Sequence, residues 1–438
     1  MAERKKILVL SDHPLVPSGV GIQTKYLIEG LLDTEKYKFV CLGGAISHAD
    51  MRPQMVAPDK YGDANWLIHP VKGHGNKETL RAFIKNEKPD AVLLVTDPRF
   101  FVWVWEMEDE IRAQCPLLYW HVWDNDPTPI YNKNYYDSTD GIGCISRKTF
   151  GLLQDLKHKN FSYIPHALPT ELFKPLEQDA VDEFKKTNYG PHASKKFIVM
   201  WNNRNARRKQ TGDVIATFAA FAKKVGKENV ALFMHTAIGD QEGQNILAVA
   251  RCYDIEDCLM ISESRVQSEI INMMYNVADV TVNIASNEGF GLSSLESLYT
   301  GTPIINHMTG GLQYQIGDWH EKIKDFTDQD KLTAGAKKRW KSNQGKWFGV
   351  PVFSSSRSCT GSQQIPYIYD DRVCHEDVIN ALVKLYNMPK EKRKQLGLEA
   401  REWATEHFAL DSMVSSWDSL FTNTMENFKP VSVRRATL

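Results

Sequence analysis

The chain has 438 residues, of which 42% are hydrophobic and 24% charged. That length exceeds one ordinary hydrophobic core and suits two or three soluble domains. Lysine plus arginine number 53 and aspartate plus glutamate 54, for a formal charge of -1, which excludes binding to a polyanion by bulk charge while leaving room for local basic patches. No apolar run approaches the roughly 18 residues of a membrane-spanning helix. The start, Met1 to Ile7, lacks the apolar region of a signal peptide, so a cytoplasmic location is expected. The seven cysteines, Cys41, Cys115, Cys144, Cys252, Cys258, Cys359 and Cys374, are odd in number. None has zinc-ligand spacing, and reduced thiols are expected.

The apolar run Lys6–Leu10 predicts a buried strand. It is followed by Gly19-Val20-Gly21 and a helical pattern through Leu27, Ile28, Leu31 and Leu32. Strand, glycine loop and helix open a doubly wound α/β domain. Further strands are expected at 39–42, 91–95, 117–122, 141–145 and 161–164, with a helix over 78–87. No G-x-G-x-x-G follows the first strand, which argues against a nicotinamide dinucleotide. Pro165, Pro169 and Pro175 with polar sequence up to Lys196 read as a linker.

A second α/β series then begins. Strands are expected at 197–200, 230–235, 258–261, 280–284 and 303–305, and helices at 211–224, 267–276 and from 293 to 299. Two such domains predict a cleft between the carboxyl ends of their sheets. Residues 315–365 break the alternation and are expected to be an irregular insertion. Helices are expected again at 377–386, 390–406 and 410–426, the last crossing back over the first domain. The tail 429–438 is expected to be disordered.

The most informative stretch is Asn287-Glu288-Gly289-Phe290-Gly291-Leu292-Ser293-Ser294-Leu295-Glu296. One carboxylate lies in a strand-to-helix loop and the other in the first turns of the helix. Amides of the Phe290–Ser294 turn can hold phosphate oxygens. Ser293-x-x-Glu296 also satisfies a helix capping box, which would explain Glu296 but not Glu288 or the two glycines. After the first strand of the second series comes Asn203-Arg204-Asn205-Ala206-Arg207-Arg208-Lys209. Cations at the start of a helix are unfavourable unless an anion is bound there.

This E-x7-E stretch, with Ala278-Asp279-Val280 before it and Gly301-Thr302-Pro303-Ile304-Ile305 and Gly310-Gly311 after it, resembles the GT-B retaining glycosyltransferases of the large family 4 type. Ile164-Pro165-His166-Ala167 and Phe173-x-Pro175 resemble that family's interdomain segment. The resemblance implies two Rossmann-like domains facing across a cleft. The acceptor-side domain would span 1–175 and the nucleotide-sugar domain 176–405. A C-terminal helix and tail would fill 406–438. It implies Glu288 on donor sugar hydroxyls and Glu296 on ribose hydroxyls. Phe290, Gly291, Leu292 and Ser293 would lie beside the diphosphate, and Arg204 and Lys209 would neutralise it, with Arg207 and Arg208 as alternatives. Gly19 and Gly21 resemble the glycine loop near phosphate and acceptor, and His121 the strand-end histidine near the donor sugar. The implied donor is a nucleoside diphosphate sugar, UDP before GDP or ADP, with its base near His235 and Ser262. No further cofactor and no metal are implied.

Asp97, Asp124 and Asp126 are acceptor-side candidates, with Phe100, Trp103, Trp105, Tyr119 and Trp123 as candidate sugar-stacking rings and His166 as a hinge. Residues 322–346 hold eight cations, three acids and Trp340, with Trp347 just beyond. That cluster suits a modified DNA base, a lipid-linked sugar or a charged glycan as acceptor. A sugar-nucleotide hydrolase or phosphorylase and a non-catalytic carbohydrate-binding protein are the competing readings.

Overall fold

The computed structural model describes residues 3–193 and 195–432; the end of the tail expected to be disordered lies outside them. The described residues divide into two compact units, one of residues 3–123, 128–167 and 410–432, the other of 124–127, 168–193 and 195–409.

In the first unit, β1 (Lys5–Asp12), β2 (Tyr37–Gly44), β3 (Gln54–Met55), β4 (Trp66–Pro70), β5 (Ala91–Val95), β6 (Leu117–His121), β7 (Gly141–Cys144) and β8 (Phe161–Tyr163) form one sheet. Its order is β3-β4-β2-β1-β5-β6-β7-β8. Only the short β3–β4 pair is antiparallel. The strands are apolar because both faces are covered, as parallel sheets require; Ile7, Leu8, Val9 and Leu10 are all at 0% exposure. The helix Gly19–Asp33 starts at Ser18, whose side chain accepts from the Gly21 N–H. The helix Leu410–Asn427 packs on this unit. Its Trp417 lies at 0% exposure against Trp120, ring centroids 5.1 Å apart. A Cβ on Gly143 would come within 2.5 Å of the Trp417 ring, so glycine in β7 makes the seat for that indole.

In the second unit, β9 (Phe197–Asn202), β10 (Val230–His235), β11 (Leu259–Ser262), β12 (Val280–Asn283), β13 (Ile304–His307) and β14 (Gly349–Val352) are all parallel, in the order β11-β10-β9-β12-β13-β14. Counted within the sheet this is 3-2-1-4-5-6. Its strand order reverses direction between β9 and β12, and ligands of such sheets bind beyond the carboxyl ends of the strands at that point.

The segment expected to be irregular, 315–365, is instead about half regular structure. It holds the helix Gln329–Lys341, the edge strand β14, and β15 (Ser354–Thr360), which pairs antiparallel with β16 (Ile368–Val373). The polar stretch read as linker contains the helix Gln178–Ala193, where Val181 is 4% exposed. No helix among the described residues is long and apolar enough to cross a membrane.

Trp417→Ala removes the largest side chain that the last helix buries. It is expected to destabilise the first unit by about 3–5 kcal/mol, read as a lowered denaturant midpoint.

Candidate functional site

The loops that leave β9 and β12 build the site of the second unit. The β9 loop passes through Arg207–Lys209 as one tight turn, and Gln210 takes a left-handed φ of 58° before the helix Thr211–Val225. The β12 loop enters the helix Leu292–Tyr299 through Gly291 at φ 99°. A Cβ there would sit 2.4 Å from Leu312 Cδ2. Gly310, at φ 51°, brings its backbone so close that a Cβ would lie 2.3 Å from the Glu288 carbonyl oxygen. That carbonyl accepts the Gly311 N–H at 2.7 Å. The backbone of Glu288 is therefore clamped from above by a turn that only small residues can form.

The Glu288 carboxylate pairs with Lys209 and, at 2.6 Å, with Arg208 Nη1. The same guanidinium donates to the Asn287 carbonyl at 3.0 Å. Lys209 and Glu288 side chains are 8% and 14% exposed, so the pair is nearly dry. Burial pushes the Glu288 carboxyl up, but Lys209 and Arg208 outweigh it and hold it well below the usual carboxylate range. Burial and the neighbouring Arg208 draw Lys209 down, partly offset by Glu288. Removing one partner of such a pair leaves a buried charge uncompensated, at a cost of about 3–5 kcal/mol.

Glu296 has a different environment. Its Oε2 accepts from Tyr275 Oη at 2.7 Å and from Asn202 Nδ2 at 3.3 Å. Burial pushes its carboxyl up to about 7, and these two hydrogen bonds only partly offset that. The capping-box explanation fails: the helix cap is Gly291 with no side-chain bond, and Glu296 is committed to Tyr275 and Asn202. Ser293, 9% exposed, takes a bond from Asn283 at 3.4 Å. Phe290, 4% exposed, packs edge-on against Phe408, centroids 5.4 Å apart. The first amides of the helix, at Leu292 and Ser293, have no intrahelical acceptor by helix geometry. They and the dipole behind them favour an anion.

The other candidates named from the sequence are placed as follows. Arg204 is 62% exposed and spends its guanidinium on Asp240 at 2.6 and 3.1 Å, with Glu242 at 3.8 Å. The arginine beside Lys209 at Glu288 is Arg208. In the first unit, the His121 ring is at 0% exposure, bonded to Tyr136 Oη at 3.1 Å, and burial draws it down to about 3. It is a neutral core histidine whose ring faces no solvent. Gly21 is a close-packing glycine: a Cβ would lie 2.7 Å from the His13 carbonyl oxygen. Gly19 is the first residue of the helix. His166 is 8% exposed against Trp120. Trp105, Tyr119 and Trp123 are buried, whereas Phe100 is 48% exposed and stacks on His74 at 4.7 Å. Asp97 caps a short turn and pairs with Arg99 at 2.9 Å. His235 Nδ1 and Ser262 Oγ lie 3.0 Å apart at the ends of β10 and β11.

Four residues of the site escaped the sequence. Asn202 and Tyr275 carry no motif, and only their contact with Glu296 reveals them. Asp370 and Asp371 lie between the segment expected to be irregular and the helix expected at 377–386. The segment 124–127 belongs with the second unit: Asp126 O accepts the Tyr369 N–H at 2.6 Å. Burial raises the Asp124 carboxyl to about 6, against the pull of Arg208 and with the push of Glu288.

The family model described as glycosyl transferases group 1 matches residues 182–344. A trehalose synthase of Pyrococcus horikoshii is 25% identical over 154 residues, 34% of this chain and 34% of that protein, so the chain spans about a third of that relative's length. Sucrose-phosphate synthase of Thermosynechococcus elongatus superposes with a TM-score of 0.70 at 15% identity, over 97% of this chain and 100% of its own. The Anabaena protein Alr3699/HepE, solved with UDP and glucose, superposes with a TM-score of 0.67 at 11% identity, over 96% of this chain and 100% of its own. The fold is the GT-B fold of glycosyltransferases.

The Glu296 environment predicts a pH signature. A carboxyl whose folded pKa, about 7, lies above its ordinary 4.5 costs stability as pH rises. The cost is absent below the lower value, grows between the two and is full above the higher. Glu296→Gln is expected to melt above wild type at pH 8, by roughly 2–4 °C per kcal/mol relieved, and to gain little at pH 5. Scanning calorimetry at both pH values checks it.

Proposed function

We propose that this chain, in which a glycosyl transferases group 1 segment lies in a GT-B fold, moves a glycosyl group from a nucleoside diphosphate sugar to an acceptor hydroxyl with retention of anomeric configuration. The observation that carries the reading is the Glu288 cluster: two cations and one carboxylate, net positive, beside a helix N-terminus at the point where the strand order reverses. Departure of a diphosphate builds negative charge on the leaving oxygen. Fixed cations and amide N–H groups stabilise that charge without reorganising. Arg208 and Lys209 supply the charge, with Arg207 beside them, and the amides of Leu292 and Ser293 supply donors. Glu288, ionised throughout the physiological range, accepts hydrogen bonds from the sugar hydroxyls. Glu296, held by Tyr275 and Asn202, accepts from the ribose hydroxyls. It does so best when ionised, so nucleotide affinity weakens as pH falls below about 7.

UDP is favoured as the nucleotide because HepE, with this fold, was solved with UDP and with UDP-glucose. The acceptor-side groups are expected on the first unit and at Asp124 and Asp126. A polyanionic acceptor, such as DNA carrying hydroxymethylated bases, is the second reading. Residues 331–347 hold Lys331, Lys337, Lys338, Arg339, Lys341 and Lys346 with no acid among them, and all six are exposed. The neighbouring rings suit base stacking less well. Trp340 packs edge-on to Trp347 at 5.2 Å and is covered by Lys384 at 4.2 Å.

A screen of UDP-, GDP- and ADP-sugars by calorimetry and mass spectrometry tests the reading. Binding of a nucleotide sugar and glycosyl transfer to an acceptor are expected, and Glu288→Gln is expected to lower kcat by about 100-fold or more. An unchanged rate in that variant would overturn the role given to Glu288. Free sugar released at full rate without acceptor would instead indicate a hydrolase. A transfer rate that falls steeply with salt on DNA alone would favour the polyanionic acceptor.

A further inference from the structure

The pair β15–β16 belongs to neither of the two larger sheets. Adjacent residues of β16, Asp370 and Asp371, are 6% and 7% exposed. Successive strand residues point to opposite faces, so burying both carboxylates requires polar partners on both sides of the strand. Buried carboxylates without such partners cost several kcal/mol each.

On one side, Asp370 Oδ1 accepts from Ser286 Oγ at 3.3 Å and Asn287 Nδ2 at 3.5 Å, while its Oδ2 lies 3.8 Å from Arg207 Nη2. On the other, Asp371 Oδ2 accepts from Thr309 Oγ1 at 2.8 Å and its Oδ1 from Arg357 Nε at 2.7 Å. Arg357 continues to Asp330 at 3.0 Å, which ties the hairpin to the helix Gln329–Lys341. Backbone bonds complete the seat. Tyr369 O accepts Asn287 Nδ2 at 2.5 Å, and the Asp371 N–H reaches Ser286 O at 3.4 Å. Arg372 donates to Gln210 Oε1. Four consecutive residues, 369–372, therefore hold the two residues before Glu288, the turn that clamps the Glu288 carbonyl, and the end of the cation loop. Glu296, Tyr275 and Asn202 have no hydrogen bond to the hairpin among the described residues.

We propose that the hairpin Ser354–Val373 is a positioning arm for Glu288, with Asp370 and Asp371 as the positioning residues that fix the backbone before and above it. Through Asp371 and Thr309 the arm acts on transfer and not on nucleotide binding, because this contact holds the turn above Glu288 and touches neither the cation loop nor Glu296. This rests on the donor-site reading given above. A misplacement of about 1 Å at a reacting group costs on the order of 100-fold in rate.

The test measures kcat with a UDP-sugar, UDP affinity by calorimetry, and melting temperature for wild type, Asp371→Asn, Thr309→Val, Glu288→Gln and the double variant Asp371→Asn with Glu288→Gln. Thr309→Val removes the same hydrogen bond from the other partner, so the arm stays testable if Asp371→Asn fails to fold. Each of these two single variants is expected to lose about 10- to 100-fold in kcat, with UDP affinity within about twofold of wild type. In the Glu288→Gln background the aspartate change should add little, because both act through one carboxylate. The arm is overturned if folded variants keep wild-type kcat, if their rate falls only in step with UDP binding, or if the two losses multiply. A wild-type protein that binds no nucleoside diphosphate overturns the donor-site reading and the arm together. Wild-type binding and turnover with indifferent variants overturn the arm alone.

Discussion

The second unit is organised around two adjacent cations that need an anion. Arg208 and Lys209 repel one another and share a site where Lys209 is almost fully buried. Glu288 supplies one negative charge for two positive ones, so the cluster is stable and still positive. That single carboxylate must arrive from the β12 loop, across from the β9 loop that carries the cations. The loop geometry follows from this requirement. The Gly310–Gly311 turn closes over the Glu288 carbonyl, the Ser286 N–H bonds to the Arg208 carbonyl at 2.8 Å, and β16 braces the residues ahead of Glu288.

The sheet makes that meeting possible. With β9 and β12 adjacent and their helices leaving in opposite directions, the two loops face each other beyond the strand ends. The first unit uses the same strand order at β1 and β5, and there too polar groups gather at the strand ends. Asp12 accepts from Ser18 Oγ at 2.7 Å and lies 3.3 Å from His74. One topology thus yields two polar sites, one dominated by cations and the other by an aspartate and histidines.

What the sequence made legible follows burial. Ala91–Val95 is an unbroken apolar run and is a strand over the same residues. Gly349–Val352 contains Gly and Pro351, which argue against a central strand; β14 lies at the sheet edge, where proline is tolerated. The helix Gln329–Lys341 escaped because only Leu332 and Ala336 are buried along it, too few to leave an apolar period. The acidic pair Glu288 and Glu296 was legible as a motif, since both spacing and glycines mark it. Lys209 was legible as a cation beside it, but which arginine joins Lys209 was not. Four basic residues fall within six positions, and only the tight turn Arg207–Lys209 decides that Arg208 points to Glu288 while Arg204 turns to Asp240. The same holds for His121: a strand-end histidine reads alike in sequence whether its ring points to a ligand or into the core, where this one lies.

The departures from local rules in the second unit fall in one place. A carboxylate that could cap its own helix leaves the cap to a glycine and lies buried with a raised pKa. A lysine is buried next to an arginine, and two further acids are buried in a strand of the separate β15–β16 hairpin. Each costs stability that a plain apolar or capped arrangement would not, and costs of this kind persist where function requires them. Glu296 shows the trade most directly. Tyr275 and Asn202 give its carboxylate hydrogen bonds but no cation, so it carries an ionisation cost that further hydroxyl donors would reduce. On the proposed reading, the two adjacent hydroxyls of a ribose would supply such donors to a carboxylate that has no charged partner among the described residues.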